Sequence, residues 1–175
     1  MKGVLTRNPG WESALAGFHA ESAWMVGAWD DVQHLVEHTN GQTSQIVMAR
    51  LLLAMRTGEA SSITESLSAA RAVLGMNITA AGVKGYRRSY DAVLDLHLTH
   101  ELQVIHTAVN SLPTGSQGPG QDQRQQILTE LSRTLNARLD ATLPTFRIRE
   151  AVLSMRRTAF ALGFVIFMGS FTEIC

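Results

Sequence analysis

Four side chains able to bind metal or move protons crowd one short stretch, LHLTHELQVIH: His97, His100, Glu101 and His106. On a helix, His97 and Glu101 lie one turn apart, so an imidazole and a carboxylate share a face and can together approach a cation. The order is not the His-Glu-x-x-His of zinc hydrolases, and no cysteine stands nearby to complete a set. The same pair suits a satisfied polar contact between packed helices, because a buried carboxylate needs partners. We therefore assign no metal ligand, and keep a helical-bundle enzyme with His97 and Glu101 as ligands only as a subordinate reading.

Other candidates are weaker. Arg87-Arg88 and the group Arg147, Arg149, Arg156 and Arg157 can serve a phosphate or an acidic partner, but they read first as solvated helix faces. The neighbouring carboxylates Asp30 and Asp31 look like an acid–base pair. Placement in the first turn of a helix, where the helix dipole favours negative charge, explains both. Cys175 has no base beside it in sequence and is not read as a nucleophile. No Gly-x-Gly-x-x-Gly or Walker-type loop and no kinase catalytic-loop motif occurs. The sequence thus assigns no catalytic residue, no cofactor or cofactor-binding residue and no metal ligand.

The composition narrows the setting. A chain of 175 residues suits one domain. Fifteen Lys and Arg balance fifteen Asp and Glu, so no net charge draws it to nucleic acid or to an anionic membrane. One cysteine allows no internal disulfide, which fits a reducing compartment. The longest apolar run, Ala159 to Phe167, is far shorter than the roughly 20 residues that span a bilayer.

These side chains must be positioned by helices. Abundant Ala and Leu, few aromatic residues and four prolines favour helix over sheet. After a turn at Asn8-Pro9-Gly10, the first helix follows the stripe Trp11, Leu15, Phe18, Ser22 and Met25, its alanines allow close approach, and Gly27 ends it. A second runs from about Ala28 to Glu37, burying Val32, Leu35 and Val36, with Trp24 and Trp29 packing the corner. A turn at Thr39-Asn40-Gly41 leads to a third, about Ser44 to Arg56, with Ile46, Val47, Leu51, Leu52 and Met55 apolar. The fourth, about Ser61 to Leu74, buries Ile63, Leu67, Ala70 and Leu74, with Gly75 as its cap. A long fifth helix, about Thr79 to Leu112, carries the stripe Val83, Tyr86, Tyr90, Val93, Leu94, His97, Glu101, Ile105 and Ala108. Residues 113–125 read as a polar loop. The sixth helix covers about Gln126 to Thr142 and the seventh about Phe146 to Ala161. The expected fold is all-α: an α-solenoid of antiparallel helical pairs of the tetratricopeptide-like and HEAT-like kind.

Three stretches resemble the FAT region of the PI3K-related protein kinases, nearest to the ATR-type checkpoint kinases. The first is ESAWMVGAWDDV, residues 21–32, like the family's Trp–Trp-Asp hairpin. The second is GYRRSYDAVLDLHLTHELQ, residues 85–103, in which Tyr86, Arg88, Tyr90, His97 and Glu101 fall on the family's pattern. The third, Leu135 to Met155 with the two arginines that follow, carries Arg138, Leu139, Thr142, Phe146, Arg147, Glu150, Leu153, Arg156 and Arg157. The resemblance covers about residues 3–160. It implies a non-catalytic helical scaffold within a nuclear serine/threonine kinase of DNA-damage signalling. Its partners would be protein: the kinase domain, neighbouring repeats and a dimer mate, with no direct nucleic-acid or membrane contact. Residues 1–162 form the FAT-type segment on this reading, and 163–175 an apolar tail outside the family pattern. The kinase domain itself is absent, so the chain reads as a piece of a large kinase or a truncated gene product. The rival is a free-standing helical-repeat adaptor that binds partner proteins.

Overall fold

Two glycines set the first helical corners, because only glycine adopts a left-handed backbone without a steric penalty. Gly27 (φ 78°) follows helix α1, Glu12–Val26. Its N–H donates to the Trp24 carbonyl (3.2 Å) and that of Ala28 to the Ala23 carbonyl (2.9 Å). This paired arrangement satisfies the last carbonyls and turns the chain straight into α2, Trp29–His38. Gly58 (φ 74°) closes α3, Ser44–Thr57, with one bond to the Ala54 carbonyl. The start of α3 is capped by Thr43, whose hydroxyl accepts from the Ile46 N–H (3.4 Å). Then come α4, Ala60–Ala81, α5, Tyr86–Asn110, α6, Pro119–Asp140, and α7, Phe146–Thr172.

The computed structural model describes residues 11–39, 42–81, 85–113 and 119–172, with backbone alone at 12–14, 77, 80–81, 86–88, 119 and 164–172. The turn expected at Asn8-Pro9-Gly10, part of that at Asn40-Gly41, the place of Val83 and the side chains of Tyr86, Arg87 and Arg88 lie outside them. Among the described residues the fold is all-α, built of successive helical pairs as a helical solenoid requires. Two compact units divide it, residues 1–99 and 100–175, with the boundary inside α5.

In the first unit α3 is the centre. Ile46, Val47, Met48, Ala49, Leu51, Leu52, Ala54 and Met55 are all buried, and α1, α2 and α4 pack around it. From α4 come Ile63, Leu67, Ala70 and Leu74, and from α2 Val32 and Leu35, as their spacing predicts. The buried face of α1 is not the expected large-residue stripe. Trp11 and Phe18 are more than half exposed, and the interior face is Ala16, Gly17, Ala20, Ala23 and Trp24. Small residues win there because α3 comes close: a Cβ on Gly17 would meet Thr43 Oγ1 at 3.0 Å. Among the described residues, Trp24 is the one large buried side chain of α1. Its indole N–H has no partner among the described residues, so apolar packing alone holds it. Trp29 is half-buried, with the Arg56 guanidinium 5.7 Å over its ring.

Four expectations about element limits and faces are corrected. Gly75 does not cap α4, since the helix continues to Ala81 and the left-handed glycines among the described residues are Gly27 and Gly58. A glycine inside a helix costs up to about 1 kcal/mol, and ends it only when the chain can turn there. Helix α5 starts at Tyr86 rather than Thr79, and it buries Ala92, Leu94, Leu98, Leu102 and Ile105 while Val93 is exposed. Helix α6 starts at Pro119, inside the polar stretch 113–125, because proline at the first helical position has no N–H to lose. Helix α7 runs past Ala161 to Thr172. At Gly163 it passes close to α5, where a Cβ would lie 3.0 Å from Val109 Cγ1.

Truncating Trp24 leaves a hole that α3 cannot fill. Trp24→Ala should lower unfolding free energy by about 3–5 kcal/mol, while Phe18→Ala on the exposed side of the same helix should stay within about 0.5 kcal/mol. Urea denaturation followed by circular dichroism measures both. Equal midpoints for the two variants would show that the corner is not a core.

Candidate functional site

Glu101 is the one carboxylate among the described residues that is fully buried, at 1% exposure. Helix α5 brings it there because its neighbours on the same face, Leu98, Leu102 and Ile105, are core residues. An ionised carboxylate in such a place is tolerated only with close cationic donors. Arg156 of α7 supplies them in a two-pronged grip. Its Nε donates to Glu101 Oε2 at 2.7 Å and its Nη2 to Oε1 at 2.8 Å. The same Nη2 donates to the Leu135 carbonyl of α6 at 2.6 Å. Arg138, also on α6, stands 3.5 Å from Oε1 through its Nε, an ion pair rather than a hydrogen bond. One carboxylate thus joins α5, α6 and α7. Only arginine can do this, because its planar fork carries donors enough for both carboxylate oxygens and a backbone carbonyl.

The chemistry of this arrangement is structural. Both oxygens of Glu101 accept from Arg156, which is 7% exposed and turned to Glu101 and the Leu135 carbonyl rather than to solvent. The reading of Arg156 as part of a solvated face is therefore corrected: the helix turn that exposes Arg147 and Arg157 turns Arg156 inward. Of the other residues in LHLTHELQVIH, His97 is half-buried and His100 exposed. His106 is half-buried beside Asn110, whose Nδ2 donates to Nε2 at 3.0 Å, and burial pushes its imidazole below the usual range. No group of three His, Cys, Asp or Glu side chains able to hold a metal occurs among the described residues. Asp30 and Asp31 do stand in the first turn of α2. The polar contact of Glu101 was legible as a need for partners, but Arg138 and Arg156 were not, because nothing local says which distant arginine answers a buried acid.

The FAT domain family model matches residues 16–163. The chain belongs to the FAT domain family. It is 27% identical over 158 residues to the serine/threonine-protein kinase ATR of Drosophila melanogaster, covering 86% of this chain and 6% of that protein. It is 24% identical over 169 residues to the serine/threonine-protein kinase ATR of Arabidopsis thaliana, covering 90% of this chain and 6% of the relative. The chain therefore spans a small part of the length of the relatives it matches. No solved structure matches it significantly. The resemblance read from the three stretches is upheld, and Glu101, Arg138 and Arg156 of the second and third stretches of this FAT domain meet in the buried cluster.

A second acid stands apart in the first unit. Asp95 of α5 is largely buried near the start of α3. Burial pushes its carboxyl up from 3.8 to about 6; a hydrogen bond from Ser44 opposes this, and the charges of Asp91 and Glu21 add to it.

Two outcomes follow. Glu101→Gln removes the charge that both arginines face, and should destabilise the fold by about 3–5 kcal/mol, as breaking a buried pair does. Arg157→Ala, next along the chain and exposed, should change stability by no more than about 0.5 kcal/mol. Denaturant midpoints decide, and a neutral Glu101→Gln would mean the cluster does not hold the three helices. For Asp95, the folded pKa lies above the unfolded one, so its protonated form favours the fold. That stability is fully present below about pH 3.9 and is lost as pH rises through about 6. Asp95→Asn should therefore raise stability by on the order of 2 kcal/mol at neutral pH and lose that advantage in acid. Melts across this pH range measure it, and a gain independent of pH would refute the assignment.

Proposed function

We propose that this FAT segment is a non-catalytic scaffold of an ATR-type serine/threonine kinase, acting in DNA-damage and replication-stress checkpoint signalling in the nucleus. The match of the FAT domain to residues 16–163 carries the reading, together with the similarity to kinases of that name. The spent chemistry of the Glu101 cluster supports it, since the most buried charges serve packing. Protein partners are the chemistry expected of the outer faces. Trp11 at the start of α1, Phe18 on it, and Phe146 and Phe160 on α7 are large apolar side chains left at the surface. They suit the kinase domain, neighbouring repeats or a dimer mate of the parent protein. We place no nucleic acid or membrane among the direct contacts.

Phosphate transfer is the sharpest test. The purified chain, given labelled Mg-ATP and a serine peptide, should transfer nothing, while a longer product that adds the parent's kinase domain should. Turnover by the chain alone, abolished by a point substitution within it, would overturn the scaffold reading.

A further inference from the structure

Helix α7 has two faces, and its own unit uses one of them. Ile148, Val152, Met155, Ala159 and Leu162 are buried. Turned away from these, Phe146, Leu153 and Phe160 are 87%, 51% and 39% exposed. Seven residues, two helical turns, separate each from the next, so the three stand in one line along the helix. Glu150 and Arg157, both exposed, lie beside this line on the same flank. We propose that this stripe is the docking surface for a second copy of the chain, with the two α7 helices antiparallel about a two-fold axis at Leu153.

The order of the stripe selects that arrangement. Phe146 and Phe160 are equally far from Leu153, so the axis sets Phe146 of each copy against Phe160 of the other and Leu153 against itself. The same operation brings Glu150 of each copy opposite Arg157 of the other, because one lies just before Leu153 and the other just after it. Parallel helices in register would instead oppose Glu150 to Glu150 and Arg157 to Arg157. Ser154 steadies Glu150 along the stripe, its Oγ donating to Oε1 at 2.8 Å. Arg157 has five N–H donors, enough to take a carboxylate of the second copy in addition to contacts within its own chain. From Phe146 to Phe160 the helix rises about 21 Å. One helix from each copy makes an interface at the small end of the specific range, so association is weak and depends on concentration. This narrows the protein partner of Phe146 and Phe160 to one occupant and rests on the scaffold reading for that role alone. Phosphate transfer plays no part in its test, so either can fail without the other.

Sedimentation equilibrium of the whole chain over a rising concentration series should show a 19.1 kDa monomer passing to twice that mass. Leu153→Glu sets two like charges against each other on the axis and should hold the chain monomeric. Glu150→Arg and Arg157→Glu should each weaken the dimer about tenfold or more, since the axis applies every change twice. An equimolar mixture of these two variants should dimerise again, and so should the chain carrying both changes, because each facing pair is then of opposite charge. Phe18→Ser, exposed on α1, should leave association unchanged. Circular dichroism checks the fold of each variant, and association regained in the mixture cannot come from misfolded chains. A parent chain that stays monomeric at hundreds of micromolar overturns the proposal and leaves the stripe to a different protein. Association that survives Leu153→Glu, or that the mixture fails to restore, overturns it as well.

Discussion

The second unit depends on one constraint: a carboxylate taken out of water must be answered on all sides. Glu101 cannot stay charged at 1% exposure without donors, and the donors come from two other helices. This makes the cluster directional in a way that apolar packing is not. Leucines tolerate a shift of a fraction of an ångström. A bidentate arginine pair does not, because both prongs and the bond to the Leu135 carbonyl must be kept together. The net gain in stability over an apolar substitute is small for such pairs, whereas the penalty for breaking one is large. A shift of α5, α6 or α7 by one register would therefore leave Glu101 buried without its donors.

The first unit works by another rule. Its precision comes from close approach. Small residues on α1 let α3 in, and α3 is buried over most of its middle turns. Left-handed glycines at 27 and 58 return the chain without long loops. A polar exception, Asp95, is held at a free-energy disadvantage when ionised, because burial outweighs the help of Ser44. The two halves of one FAT domain thus reach specificity by opposite means, steric fit in one and charge geometry in the other.

Both rules bear on the stretches that resemble ATR-type kinases. The residues carrying the resemblance include those whose replacement breaks a geometric condition: Trp24 at the corner, Glu101 and Arg156 in the cluster. Much of the remaining helix surface needs only to stay helical and polar, and can diverge.

Helix number and the faces of α3 and α4 were legible in the sequence because apolar spacing along a helix is a local property. The glycine turn at 27 was legible too, because a left-handed backbone at a helix end is a local demand that glycine meets. The fate of α1 was not: Trp11 and Phe18 look like core by size, and only the proximity of α3 shows that alanines and Gly17 must face inward. Nor did composition show that Gly75 stays helical or that Pro119 opens α6, since buried neighbours and backbone continuity decide such ends. The need of Glu101 for partners could be read from its place on an apolar stripe. Which arginines meet it, 37 and 55 residues away along the chain, was decided by tertiary packing alone, because sequence order carries no distance through space.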